Sequence, residues 1–203
     1  VVRGVASSAG ARHVASRGQR NPTQRPRAPR YRLDDGVMGG RSATRHTADD
    51  AVLHFAGTLD TRGGGFASVR ADFAGGLAGS DALKVRYRGD GKTYKVLLST
   101  GQAGGPWSAN PSWQADLPTT PGEERTVSLP YNSFTPSFGG APSRSTSGHK
   151  LVPGEMAQVG VMLSLYLSDG SSNPEPTFGK AGTAFEFRLE VLGLEVAAKS
   201  GGM

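Results

Sequence analysis

The sequence predicts an all-β chain folded as a two-sheet jelly-roll sandwich, and three observations carry that prediction. Apolar and polar residues alternate with period two in successive runs from Ala51 onward. No stretch shows the 3.6-residue apolar stripe of an amphipathic helix. Segments dense in Gly, Ser and Pro separate the runs: 101–111, 136–153 and 169–182. About eight short strands joined by such loops fit a jelly roll, and 203 residues suffice for one domain with a sizeable core.

Taken in order, the chain opens on a segment unlike the rest. Residues 1–33 hold eight arginines and no Asp or Glu, in a background of Ser, Ala, Gly and Pro. Two readings stand: a disordered, transit-peptide-like leader, or a retained basic arm on an acidic partner, kept extended by its prolines. The formal charge of +6 originates there, since the rest of the chain has fifteen basic and seventeen acidic residues, a net of −2. A nucleic-acid argument from basicity therefore fails for the domain expected over 34–197. Residues 198–203 are read as a flexible end.

Two glycine clusters follow, Asp34 to Ser42 and Gly63 to Arg70, bracketing a predicted strand from Ala51 to Leu59. Glycine packs nothing and loses the most backbone freedom on folding, so its repeated use marks sharp corners or close backbone approach. Leu83, Val85 and Tyr87 then alternate with Lys84, Arg86 and Arg88, and Tyr94, Val96 and Leu98 with Lys95, Leu97 and Ser99. The intervening Gly89-Asp90-Gly91 predicts a hairpin. Trp113, Ala115 and Leu117 make a half-buried strand, and Val127 with Leu129 a short one. Gln158 to Leu167 is almost wholly apolar, as expected of a central strand covered on both faces. Phe185, Phe187, Leu189 and Val191 alternate with Glu186, Arg188 and Glu190 in the last strand.

Catalytic signatures are scarce. The chain has no cysteine, which removes disulfides, thiolate metal sites and cysteine nucleophiles. Gly91-Lys92-Thr93 has the ending of a phosphate loop, but the glycine required five positions earlier is Arg86. His46 and His54 would need the Asp49-Asp50 turn to meet at a metal, and surface histidines explain them better. Asp34-Asp35 and Asp49-Asp50 could offer oxygen ligands, yet calcium takes about six to eight, so turn residues are the favoured reading. No cofactor, metal or catalytic residue is predicted. Lys84, Arg86 and Arg88, with Lys95 across the hairpin, form a basic stripe that is either a solvated face or a binding surface for acidic protein, lipid headgroups or RNA. Trp107 is a candidate partner anchor, whereas Trp113 fits the core better.

One ordered set of short motifs resembles the complex I intermediate-associated protein family: Asp35, Gly39-Gly40-Arg41-Ser42, Phe55-Ala56-Gly57, Gly65-Phe66 and Arg70, then Gly89-Asp90-Gly91, Trp113 to Leu117, Leu129 to Phe134, Val159 to Ser164 and Phe185 to Val191. The resemblance implies a galactose-binding-like sandwich with Asp35, Gly39, Gly40, Ser42, Gly65, Phe66, Arg70, Gly89, Asp90, Gly91 and Trp113 in structural roles. It also implies a non-catalytic assembly factor for an organellar membrane complex, either respiratory complex I or a photosystem. Its partners would be subunits or assembly intermediates, with peripheral membrane contact and no small-molecule substrate; nucleic acid would be reached only through the basic tail. Val37-Met38-Gly39-Gly40 and Gly65 to Arg70 look closer to the photosynthetic branch. That favours the chloroplast (stroma or thylakoid surface) over the mitochondrial matrix and inner-membrane surface. An RNA- or ribosome-associated factor and a carbohydrate-binding module are the alternatives. The family's upstream strand and Trp are not evident here: either Tyr31 substitutes, or a strand is missing and an edge lies open to a partner chain.

Overall fold

The computed structural model describes residues 30–34, 39–49, 52–73, 76–101, 111–138, 141–142 and 149–198. Among them, strands β1 (Arg30–Asp34), β4 (Phe66–Asp72), β11 (Gln158–Ser164), β6 (Thr93–Ser99), β7 (Ser112–Pro118), β9 (Thr135–Phe138) and β10 (Ala141–Pro142) form one sheet in that order. The second sheet runs β2 (Ala43–Asp49), β3 (Val52–Asp60), β12 (Ala184–Ala198), β5 (Ser80–Gly89) and β8 (Glu124–Pro130). All pairings between these strands are antiparallel, and the two sheets make the predicted jelly-roll sandwich.

The period-two pattern explains the core directly. Phe55, Leu59, Val69, Leu83, Val85, Tyr87, Tyr94, Val96, Leu98, Trp113, Leu117, Leu163, Phe187 and Leu189 come from both sheets and are buried together. Phe55 lies at the centre, its ring 4.9 Å from Phe187 and 6.3 Å from Tyr94. Trp113 belongs to this core, as its alternation implied.

The connection at Gly89-Asp90-Gly91 differs from expectation. It is not a hairpin turn: β5 pairs with β12 and β8, while β6 pairs with β11 and β7, so the segment carries the chain from one sheet to the other. Alternation fixes which residues share a face, and it is blind to which strand each backbone bonds. Asp90 holds the crossover: Oδ1 accepts from Tyr94 Oη at 3.0 Å and Oδ2 from the Arg188 amide at 2.9 Å. Thr119 occupies the space a Gly89 side chain would need and accepts the Gly91 amide at 2.9 Å.

The upstream strand exists as well. β1 pairs along its length with β4, Tyr31 opposite Arg70 and Leu33 opposite Ser68, so the sheet begins inside the segment expected to be tail. Gln158 to Leu167 ends as a strand at Ser164, and the following stretch folds back, with Ser168 bonded to Asp116. Loop 169–182 contains a one-turn helix, α1 (Glu175–Phe178), whose Phe178 ring stacks edge-on at 4.9 Å against Phe185.

The glycine clusters do build corners. Gly65 has φ +139, a conformation L side chains rarely adopt, and its carbonyl accepts the Leu165 amide at 2.9 Å. Ser42, after Gly39 and Gly40, bonds the Asp60 amide through Oγ at 3.1 Å. Asp60 in turn takes Arg62 Nε at 2.9 Å and Nη2 at 2.6 Å, and these bonds hold its carboxyl down at about 2. A carboxyl lowered in the folded state adds stability above its ordinary midpoint that is lost as pH falls through the lowered one. Asp60→Asn should therefore be less stable than the parent at pH 6, and the gap should close as pH falls from about 4 to 2 in urea melts.

Candidate functional site

Each sheet has one face in the core and one outside, and the two outer faces differ in kind. On the five-stranded sheet, Lys84, Arg86 and Arg88 of β5 are exposed as predicted, but the stripe is not an open basic surface. Arg86 Nη1 lies 3.2 Å from Glu124 Oε1, and Arg88 bridges Glu124 at 3.3 Å and Glu190 at 3.3 Å. The row continues across β12 and β3, where Arg188 sits 2.6 Å and His54 3.6 Å from Glu190. The hydrogen bond from Arg188, ahead of the charges on Arg188, His54 and Arg88, holds Glu190 below the usual carboxylate range. Lys84 stands opposite Glu195 in register. An open cavity of about 310 Å³ lies at the end of this row, lined by Arg88, Gly89, Asp90, Gly122, Arg188 and Glu190. Cations and carboxylates alternate across it, so the face is close to neutral within itself.

Lys95 is not part of that stripe. The crossover puts it on β6 in the other sheet, so the cation expected across a hairpin is instead on the opposite side of the sandwich. There the outward-facing residues of the central strands form a polar floor: Ser68 and Arg70 on β4, Gln158 and Ser164 on β11, Lys95 and Ser99 on β6, Ser112 and Gln114 on β7. All are buried, Lys95 and Gln114 at 1% exposure and Arg70 at 5%. Polar groups so placed require partners, and the floor supplies several. Lys95 Nζ donates to Gln114 Oε1 at 2.9 Å, Ser99 Oγ to Gln158 Oε1 at 3.2 Å, and Gln158 Nε2 to Asp72 Oδ1 at 3.0 Å.

Arg70 reaches from β4 toward Ser112 on β7, 3.5 Å from Nη1 to Oγ. What opens its lane is Gly160, its register partner on β11, where a Cβ would stand 2.9 Å from Arg70 Cγ and 2.7 Å from the Val69 carbonyl oxygen. Burial lowers the Lys95 amine to about 8, and the nearby carboxylates of Asp116 and Asp169 only partly oppose that. Asp116, its register neighbour, spends Oδ1 and Oδ2 on the Ser168 amide and hydroxyl at 2.9 and 2.8 Å. The floor is thus a buried polar layer whose side chains bond one another across the strands.

Of the residues singled out in the sequence, Gly39, Gly40, Ser42, Gly65, Gly89, Asp90 and Gly91 lie at corners and the crossover, Trp113 in the core, and Phe66 and Arg70 on β4. Asp35 and Trp107 fall outside the described residues. Gln114, Gln158 and Gly160 were missed. Their signal was present, in polar residues at the outward positions of strands whose inward positions are all apolar, but only the sheet order joins them.

A family model described as complex I intermediate-associated protein 30 matches residues 23–191 of this chain. Among curated proteins, none matches in sequence. Solved structures with a similar arrangement include the family 11 carbohydrate-binding module of the cellulosomal cellulase Lic26A-Cel5E of Clostridium thermocellum, at TM-score 0.49 and 9% identity over 81% of this chain and 86% of that one. The Clostridium thermocellum family 11 module with a β-1,3-1,4-mixed-linked tetrasaccharide aligns at TM-score 0.48 and 10% identity, covering 81% and 88%. An agarase aligns at TM-score 0.44 and 7% identity, over 80% of this chain and 23% of that one.

Proposed function

This chain belongs to the complex I intermediate-associated protein 30 family, and from that membership we propose that it is a non-catalytic binding domain that holds subunits of an organellar membrane complex during assembly. The family match carries the reading, because it spans the sandwich from upstream of β1 into β12. A rigid two-sheet body with long loops suits a holding role, which needs a docking surface and no covalent chemistry. The Val37 to Gly40 and Gly65 to Arg70 wording favours a photosystem client in the chloroplast over complex I in the mitochondrion.

The two alternatives lose support from geometry. Arg86 and Arg88 are engaged by Glu124 and Glu190, so among the described residues β5 offers RNA no open basic stripe. Phe55, Tyr87, Tyr94, Trp113 and Phe187 all point into the core, where none can serve as a sugar platform. The deciding experiment is a mild-detergent pull-down of the tagged protein from chloroplast and from mitochondrial membranes, with mass spectrometry of what co-purifies. Photosystem subunits in subcomplexes are the expected recovery, and complex I subunits would move the client while keeping the role. Ribosomal proteins and RNA, or bait alone, would overturn it.

A further inference from the structure

We propose that the open side of β12 beyond Val191 takes up an extended segment of a client protein, apolar at the positions beside Leu194 and Val196 and basic at the one between them; that the segment belongs to a client rests on the assembly reading. β3 flanks β12 only as far as Val191, which pairs with Leu53, while β5 follows it on the other side to Ala198. The β2–β3 pair ends at Asp49 and Val52, so among the described residues no strand lies along the β3 side of Gly193 to Ala198. A central strand of the sheet is thus an edge over this part of its length. Backbone amides and carbonyls along such an edge are ready to pair with another strand.

The side chains show the same gap. Val196 stands opposite Leu83 and Leu194 opposite Val85, so both belong to the face that builds the core. Leu83 and Val85 are fully covered, yet Val196 is 46% exposed and Leu194 only partly buried. The difference is the next strand: β5 has β8 beyond it at these positions, and β12 has none among the described residues. Charge selects the partner. Glu195, between the two apolar residues, is exposed and faces outward with Lys84, and among the described residues it makes no hydrogen bond or ion pair. A basic residue on the incoming strand would meet that carboxylate side by side. A second copy docked by this same edge would bring no cation, because Glu195 is the only charged residue from Gly193 to Ala198. Main-chain bonds would supply affinity, and the apolar-basic-apolar alternation would supply specificity.

The probe is a blocked Thr-Val-Lys-Val-Thr peptide, titrated into the whole chain while the amide resonances of β12 are followed. Saturable shifts are expected from Gly193 to Ala198 and not from Ala184 to Val191. Methylating alternate peptide nitrogens should abolish binding in one parity and spare it in the other, because only one edge of the peptide would face β12. Exchanging the peptide's Lys for Glu should weaken binding about five-fold, and Glu195→Lys should reverse that preference. Val196→Asp should lose binding, while Lys180→Gln, before the far end of β12, should keep it. The proposal falls if the shifts arise elsewhere, if both methylated peptides bind alike, or if the charge exchange changes nothing. A dimer in sedimentation that Val196→Asp disperses would give the edge to a second copy and overturn it as well. In the pull-down, clients held equally by the parent, Glu195→Lys and Val196→Asp would sink this docking edge and leave the assembly role standing. A protein that binds the peptide but recovers bait alone would do the reverse.

Discussion

Gly160→Ala is expected to destabilise the sandwich by about 3 kcal/mol, at the upper end of what forced overpacking costs, seen as a lower urea midpoint at unchanged m-value. The added Cβ would stand 2.7 Å from the Val69 carbonyl oxygen, and that oxygen belongs to the backbone of β4. β11 is flanked on both sides, by β4 and by β6, so neither neighbour can retreat without breaking the ladder. The second contact, 2.9 Å to Arg70 Cγ, is with a side chain whose path across the floor Gly160 keeps open. In an Arg70→Ala background that part of the clash is gone, and the two substitutions should be non-additive by more than about 0.5 kcal/mol. Gly57 is the contrasting case. Its Cβ would collide with the Ala43 carbonyl oxygen, but Ala43 sits on the edge strand β2, which can yield outward. A loss for Gly160→Ala no greater than for Gly57→Ala would show that the central sheet is looser than its pairing implies.

Lys95→Met is expected to gain stability, in contrast to most core substitutions. The folded midpoint of Lys95 is about 8 against an ordinary value of 10.5, so between those limits the folded protein binds fewer protons than the unfolded chain. Stability of the parent must then rise with pH over that window, because the burial penalty is complete below about pH 8 and relieved by about pH 10.5. A shift of that size corresponds to roughly 3 kcal/mol at about 1.4 kcal/mol per unit. Methionine removes the charge at similar length but leaves Gln114 Oε1 without its donor, which returns about 1 kcal/mol. The variant should therefore exceed the parent by about 2 kcal/mol at pH 7, with the advantage shrinking toward pH 10.5. Urea melts across that range provide the check, and an advantage independent of pH would refute the account.

By itself the sequence determined the class and the layers of this protein. Leu83, Val85 and Tyr87, or Phe185, Phe187 and Leu189, alternate because a strand turns successive side chains to opposite faces, and that period is a local property. The corners at Gly39 and Gly65 were legible for a similar reason, since few residues other than glycine accept such backbone. β2, β9 and β10 were not read: β2 (Ala43–Asp49) holds no large apolar residue to alternate, and β9 and β10 are only 4 and 2 residues long. What only the tertiary structure decided is which strands lie side by side. Gly89-Asp90-Gly91 has the residues of a hairpin and performs a crossover, so that Tyr87 and Tyr94 reach one core from facing sheets. That single difference divided the basic residues. Arg86 and Arg88 went to a face where Glu124 and Glu190 meet them, and Lys95 to one where its nearest carboxylate is already engaged. Whether a cation is paired depends on neighbours distant in sequence, and sheet order is a property of the whole chain that no local pattern contains.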